Sequence, residues 1–396
     1  MDPVKIKEEI YWVGGIDWHI RNFHGYTTIR GTTYNAYLII DEKITLFDTV
    51  KHGFEEEMLE RVSKIVSPER IDYLVVNHIE PDHAGGFSYI AQKIKPEKIF
   101  ITKNGKAGLS AYLHNLDFPF EEVKTGHEVK IGKRTVKFIE TPMIHWPDSM
   151  ISYIPEEKLL ISQDAFGQHY ATSKRFDDEV DPCVLIQEAA KYYANIVLPF
   201  SPQVQKLLKT VKDLGLEIET ICPDHGVVWR SKVKDILDLY EKWSSYQADE
   251  RVVIVYDTMW KSTEKMANAI AEGVFKEGVD ARMFKLSTSD ITDVMTEVML
   301  AKGIALGSST LNNNLLPTMA SFLTYMKGLR PRKKVGLAFG SYGWSGEAVG
   351  QLNEYLKEIQ AEVIHEGLKV KYAPTEEVLK TCEELGRLLA QKVKEG

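Results

Sequence analysis

The chain has 396 residues, 44% of them hydrophobic and 27% charged, with a formal net charge of -8. That length carries two or more domains with cores of their own, and the composition is ordinary for a soluble globular protein. The negative balance disfavours nucleic acid and anionic membrane surfaces as partners. No apolar run reaches the roughly 18 residues of a membrane span, and the N-terminal stretch lacks a signal-peptide core, so a cytoplasmic protein is expected. The three cysteines are Cys183, Cys222 and Cys382. They form no C-x-x-C pair, so neither a rubredoxin-type nor an iron–sulfur site is expected within the chain.

In chain order, strands are predicted over 10–16, 37–40, 45–48, 73–76, 98–101, 134–140, 151–154 and 159–162. Helices are predicted over 54–66, 86–93, 182–194, 202–212 and 232–246. Strands in runs, with helices between and after them, suggest two sheets in a sandwich with outer helices. A polar stretch near Ser245–Glu250 closes this half. Beyond it, strands at 252–256, 281–285, 303–307, 334–339 and 361–364 alternate with helices at 263–276, 290–299, 316–327, 347–359 and 376–394. Strict alternation argues for an open, doubly wound parallel sheet. The domains are set at 1–248 and 249–396.

The densest chemistry lies just after the apolar run Tyr73-Leu74-Val75-Val76. His78, Glu80, Asp82 and His83 fall within six residues, before a Gly pair. Two carboxylates so close repel unless one takes up a proton or a cation joins them. Three further coordinating residues stand where a strand gives way to a loop. They are His145 in Ile-His-Trp-Pro-Asp, Asp164 in Ser-Gln-Asp-Ala-Phe and His225 in Pro-Asp-His-Gly. An imidazole and carboxylate set without thiolate suits iron, and zinc or manganese also bind such ligands.

In the second half, Asp257-Thr258-Met259-Trp260-Lys261-Ser262-Thr263 joins a strand to a helix N-terminus, an anion site built from backbone N–H groups and hydroxyls. There is no G-x-G-x-x-G and no Gly-Lys-Ser/Thr, which disfavours a dinucleotide or a nucleoside triphosphate. Two more loops, Gly307–Asn314 and Gly340–Gly346, follow strands on the same edge, where such sheets bind ligands. The residues expected to bind the ligand of these loops are Thr258, Met259, Trp260, Lys261, Ser262, Thr263, Ser309, Thr310, Leu311, Asn312, Asn313, Ser341, Tyr342, Gly343, Trp344 and Ser345. Tyr342 or Trp344 is the stacking candidate.

The order H-x-E-x-D-H, then His, Asp and His, resembles the metallo-β-lactamase fold family, whose common hydrolases carry a second imidazole where this chain has Glu80. That departure, joined to a half resembling flavodoxin, is similar to the flavodiiron proteins (A-type flavoproteins), including the two-domain methanogen oxidases. The resemblance implies an N-terminal metallo-β-lactamase-like αββα sandwich and a C-terminal flavodoxin-like domain. It implies two irons per chain, one held by His78, Glu80 and His145, the other by Asp82, His83 and His225, with Asp164 bridging. It also implies FMN, a pocket role for His24 and His169, and a head-to-tail homodimer or dimer of dimers. The implied activity is reduction of dioxygen to water, with nitric oxide reduction as the alternative. The donor is reduced coenzyme F-420, an 8-hydroxy-5-deazaflavin, or an external rubredoxin. A zinc hydrolase and a non-enzymatic electron carrier are the readings that Glu80 and the full ligand set oppose.

Overall fold

The computed structural model describes residues 1–114 and 117–395. The chain divides into two compact units, one of Met1–Tyr193 with Phe200–Glu241, the other of Ala194–Pro199 with Lys242–Gly396. The short Ala194–Pro199 segment is tied into the second unit by Asn195, whose Nδ2 donates to Thr292 O (3.1 Å) and whose Oδ1 accepts from Tyr325 Oη (2.8 Å).

In the first unit a seven-stranded sheet and a five-stranded sheet share one core. Strand parity decides which residues meet there. Trp12, Tyr37, Phe47, Val75 and Phe100 of the larger sheet pack with Phe138, Met150, Ile154 and Ile161 of the smaller. Their alternate neighbours Leu38, Leu46, Leu74, Val76, Ile99 and Ile101 face the opposite way, onto Met58, Val62, Phe87 and Ile90 of the covering helices. A period of two along each strand makes one residue serve one layer and the next the other.

The strand expected over 10–16 is two strands, Ile10–Trp12 and Gly15–Asp17. At Gly14 the backbone passes so close to Tyr34 O that a Cβ would lie 2.1 Å from it, and the chain leaves the large sheet to pair with Thr32–Tyr34. The helix expected over 182–194 ends at Tyr192 and runs into a π-helical turn, Tyr193–Val197. A helix at Lys103–Leu113 was not foreseen, because Gly105 and Gly108 dilute its pattern; Thr102 caps it by accepting from Gly105 N–H.

In the second unit the strands lie side by side in the order Asp280–Lys285, Asp249–Tyr256, Ala301–Gly307, Val335–Tyr342 and Glu362–Val363, all parallel. This is the doubly wound order with its switch point between the first and third strands in sequence. A sixth strand, Leu368–Lys371, extends the pairing of Val335–Tyr342, so the expected five-strand count is corrected to six; it follows Glu362–Val363 without an intervening helix.

Helices Ser262–Lys276 and Glu376–Glu395 pack backbone to backbone through two glycines. A Cβ at Gly386 would lie 2.1 Å from Ile270 O, and one at Gly273 1.9 Å from Glu383 O. Gly386→Ala therefore forces the helices apart and should cost about 1–3 kcal/mol. Gly350→Ala, on a helix position with open space around it, should be neutral or stabilising by up to about 1 kcal/mol. Thermal melting of the two variants beside the parent checks the contrast.

Candidate metal centre

All seven predicted coordinating residues come together at one end of the sandwich. His78 follows the strand Tyr73–Val76, and Pro81 opens the single helical turn that carries Asp82 and His83. His145 lies in the loop before Met150–Ile154. Asp164 follows the strand Leu159–Gln163, whose last residue turns left-handed (φ 46°) and whose Oε1 accepts from Asp164 N–H. His225 follows Thr220–Pro223.

They form two groups, His78, Glu80, His145 and Asp164 in one, Asp82, His83 and His225 in the other, each with one donor atom per residue within 4.8 Å of the rest. Asp164 spans both. Its Oδ2 is 3.2 Å from His78 Nε2 and 3.1 Å from His145 Nε2, while its Oδ1 is 3.1 Å from His83 Nε2 and 3.4 Å from His225 Nε2. Glu80 Oε2 approaches His145 Nε2 (3.1 Å), and Asp82 Oδ2 approaches His225 Nε2 (3.1 Å).

Two of the outward nitrogens are hydrogen-bonded by the protein. His78 Nδ1 meets Asp148 Oδ2 at 2.9 Å, and His225 Nδ1 meets Thr33 O at 2.6 Å. His83 Nδ1 faces Asp224 Oδ2 at 3.4 Å. The first two partners fix which nitrogen of His78 and of His225 turns inward with its lone pair, whereas His83 Nδ1 makes no hydrogen bond.

The donor set tests whether metal fits. His78 Nε2, His83 Nε2, Asp82 Oδ1 and Asp164 Oδ2 are buried and have no hydrogen-bond partner. Buried polar atoms are almost always satisfied, so a converging set of orphans, all with lone pairs, fits a pair of cations. Protons stand in for them in the metal-free protein. Burial works against charge on the imidazoles, but the carboxylates prevail: His83 is pushed up to about 10 by Asp82 and Asp164, and His145 to about 9 by Asp164 and Glu80. His78 is held well above its ordinary value by Asp148, Asp164 and Glu80, against its own burial. Burial would raise Asp164, yet His83, His145 and His78 hold it well below the usual carboxylate range.

Around this core, Tyr192 Oη donates to Asp164 Oδ1 at 2.9 Å. His24, left-handed at the turn between Asn22–Phe23 and Tyr26–Thr27, places Nε2 3.9 Å from Glu80 Oε1 and is largely exposed. His169 is buried, with Nδ1 2.8 Å from Thr32 Oγ1 and its ring 4.8 Å from that of His225. Burial holds its imidazole well below the ordinary value, so it stays neutral. Asp148, Asp224 and Tyr192 were missed from sequence. Their signal was present in His145-x-x-Asp148 and in the adjacency of Asp224 and His225, but nothing in one dimension says which ring each carboxyl meets.

In the second unit the three expected loops converge at the carboxyl ends of the strands. Thr263, Ser309 and Ser341 join them through their own hydroxyls, with Thr263 Oγ1 3.0 Å from both serine oxygens. These three are buried and bind one another, while Thr258 Oγ1 is buried without a partner. Lys261 turns left-handed just before the helix Ser262–Lys276, which has no side-chain cap, so its first N–H groups remain for a ligand. Ser345 Oγ donates to Asn313 Oδ1 (3.1 Å), linking the second and third loops. Met259, Trp260, Asn312, Asn313 and Trp344 are exposed, with Trp260 at 88% and Trp344 at 78%. Thr310, Leu311, Tyr342 and Gly343 are half-buried. An orphaned hydroxyl, an uncapped helix start and two bare indoles fit a phosphate-bearing aromatic ligand.

A sandwich carrying a two-metal donor set, followed by a doubly wound sheet with a hydroxyl-rich phosphate loop, defines a two-module metalloflavoprotein. The ODP-family beta-lactamase model matches residues 32–226, and the flavodoxin model residues 254–386. The chain is 48% identical to a nitric oxide reductase of Moorella thermoacetica, over 99% of both chains. It is 42% identical to the solved rubredoxin oxygen:oxidoreductase of Desulfovibrio gigas, with a TM-score of 0.97 over 100% of this chain and 99% of that one. The flavodiiron protein of Giardia intestinalis is 36% identical, with a TM-score of 0.97 over 100% of this chain and 97% of its own. The chain belongs to the flavodiiron protein family, with a metallo-β-lactamase-like module followed by a flavodoxin-like one.

Metal must displace the protons that the metal-free imidazoles carry. Raised values of about 10 for His83 and about 9 for His145 mean that both rings are charged at pH 7.5 and must give up protons to bind. Adding zinc or ferrous ion to the metal-depleted protein in weak buffer should acidify the solution at pH 7.5. The release should shrink, and the affinity level off, as pH passes 9 to 10. No acidification at pH 7.5 would contradict this electrostatic picture.

Proposed function

We propose that this protein reduces dioxygen to water at a diiron centre held by His78, Glu80, Asp82, His83, His145, Asp164 and His225, with electrons delivered through FMN. The observation that carries the reading is the position of Asp164, whose two oxygens each approach imidazoles of a different group. When bound, two ferrous ions and one reduced FMN supply the four electrons that dioxygen needs to become two waters, or the two that convert two nitric oxides to nitrous oxide. Glu80 and Asp82 would each offer a carboxylate to one of the metals, and Asp164 would offer one oxygen to each. Phe23 and Tyr26 pack against His169 beside His225 and limit water there. His24, beside Glu80, stands where a proton could be handed to a reacting oxygen.

Thr258, Met259, Trp260, Lys261, Ser262 and Thr263 would receive the FMN phosphate, with Ser309, Thr310, Leu311, Asn312, Asn313, Ser341, Tyr342, Gly343 and Ser345 around the ring system. Trp260 and Trp344 present open faces for stacking, which adds Trp260 to the stacking candidates. Cys183 is exposed and alone and Cys222 and Cys382 are buried singly, so the described residues pair no thiolates for a rubredoxin-type centre, and a separate electron donor fits this reading. We assign that role to reduced coenzyme F-420, passing hydride to FMN, as in the methanogen members that the sequence resembles. A head-to-tail homodimer, or a dimer of dimers, in the cytoplasm completes the proposal. No described helix is long and apolar enough to cross a membrane.

A second reading, nitric oxide reduction, or dioxygen reduction fed by a rubredoxin, is favoured by the names of the Moorella and Desulfovibrio relatives.

Anaerobic mixing with reduced deazaflavin should bleach the flavin band within the mixing experiment; bleaching by rubredoxin alone would move the donor to the second reading. Steady-state rates with dioxygen and nitric oxide should favour dioxygen, and a preference for nitric oxide would reverse the order. Glu80→His should shift the loaded metal from iron towards zinc and lower oxygen consumption, because ligand type sets which metal the site prefers. Unchanged iron content and rate would contradict the role given to Glu80.

A further inference from the structure

One short loop carries more of the metal centre than His145. In His145-Trp146-Pro147-Asp148, the first residue sends Nε2 to within 3.1 Å of Glu80 Oε2, and the last sends Oδ2 to His78 Nδ1 at 2.9 Å. The same oxygen accepts from Ile79 N–H at 2.9 Å. Between them, the Trp146 indole stands perpendicular to the His78 ring, at 5.4 Å, and edges the His145 ring at 6.3 Å. Asp148 is 4% exposed and His78 1%. The loop is itself pinned, since Thr102 Oγ1 donates to Asp148 O (2.8 Å) and Asn104 Nδ2 to Pro147 O (3.0 Å).

Both imidazoles that this loop controls belong to one of the two donor groups, the one with Glu80. In the other group, His225 Nδ1 rests on the neutral Thr33 carbonyl, and Asp224 stands 3.4 Å from His83 Nδ1 without hydrogen-bonding it. We infer that Asp148 is a positioning residue specific to the metal held by His78, Glu80 and His145. It fixes His78 with Nδ1–H outward and Nε2 inward, and its charge raises the basicity of that ring as a donor. The inference rests on the metal-centre reading above.

A carboxylate behind a ligating imidazole typically changes metal affinity by about 10–100-fold. Asp148→Asn keeps an oxygen that accepts from His78 and Ile79 while removing the charge, whereas Asp148→Ala removes both. Metal-depleted full-length protein would be titrated with cobalt(II) against a chromophoric chelator, which resolves two binding steps and a visible band for each site. His145→Ala marks which step belongs to the Glu80 group. FMN content and the thermal melt report folding.

Asp148→Asn is expected to weaken the step marked by His145→Ala by about 10–100-fold and leave the other within about twofold, with Asp148→Ala at least as severe. Wild-type affinity at both steps in the Asn variant, or equal weakening of both steps in a variant that keeps its FMN and melt, overturns the inference. Should Asp148→Ala fail to fold, the Asn variant decides alone. A wild-type chain that takes up no cobalt overturns the metal-centre reading itself, and the role of Asp148 with it.

Discussion

The Asp164 carboxylate is the constraint on which the first unit turns. One oxygen faces His78 and His145, the other His83 and His225, and it is almost wholly buried. A buried charge in that position is costly unless opposed by charge. The surroundings supply it as four imidazoles from three strand ends, and Tyr192 adds a hydroxyl. The left-handed Gln163 swings Asp164 off its strand and into the centre. The sandwich can then be seen as the frame that brings these strand ends to one place. The intersheet core of Trp12, Tyr37, Phe138 and Ile161 packs its two sheets together.

The outer partners matter as much as the inward atoms. An imidazole presents a lone pair to a metal only if its other nitrogen holds the proton, so Asp148 and the Thr33 carbonyl select the tautomer of two rings. Burial and Asp48 push Asp224 well above the usual carboxylate range. It therefore sits behind His83 as a weaker partner than Asp148 is behind His78. The two donor groups are alike in inward atoms and unlike in what stands behind them.

Much of this was legible in the sequence because the chemistry is local. His78, Glu80, Asp82 and His83 share one turn, and the placing of His145, Asp164 and His225 after apolar strands put each at a sheet edge. The alternating second half was equally open, since a parallel strand buried on both faces is nearly all apolar, as Val252–Tyr256 is. What escaped depended on three-dimensional approach. The break at Gly14 follows from contact with Tyr34, far along the chain, and the helix Lys103–Leu113 survives its two glycines because Thr102 caps it. The short Ala194–Pro199 segment, which groups with the second unit, has no compositional mark. Likewise, nothing in the sequence shows that the hydroxyls of Thr263, Ser309 and Ser341 bond one another, or that Thr258 Oγ1 is buried without a partner.

The most direct test is anomalous X-ray scattering from crystals of the natively loaded protein, recorded on both sides of the iron and zinc absorption edges. Two iron peaks, one against each oxygen of Asp164, are expected in every chain. Zinc at either position, or a single metal with Asp164 bound through one oxygen, would contradict the diiron assignment on which the proposed chemistry stands.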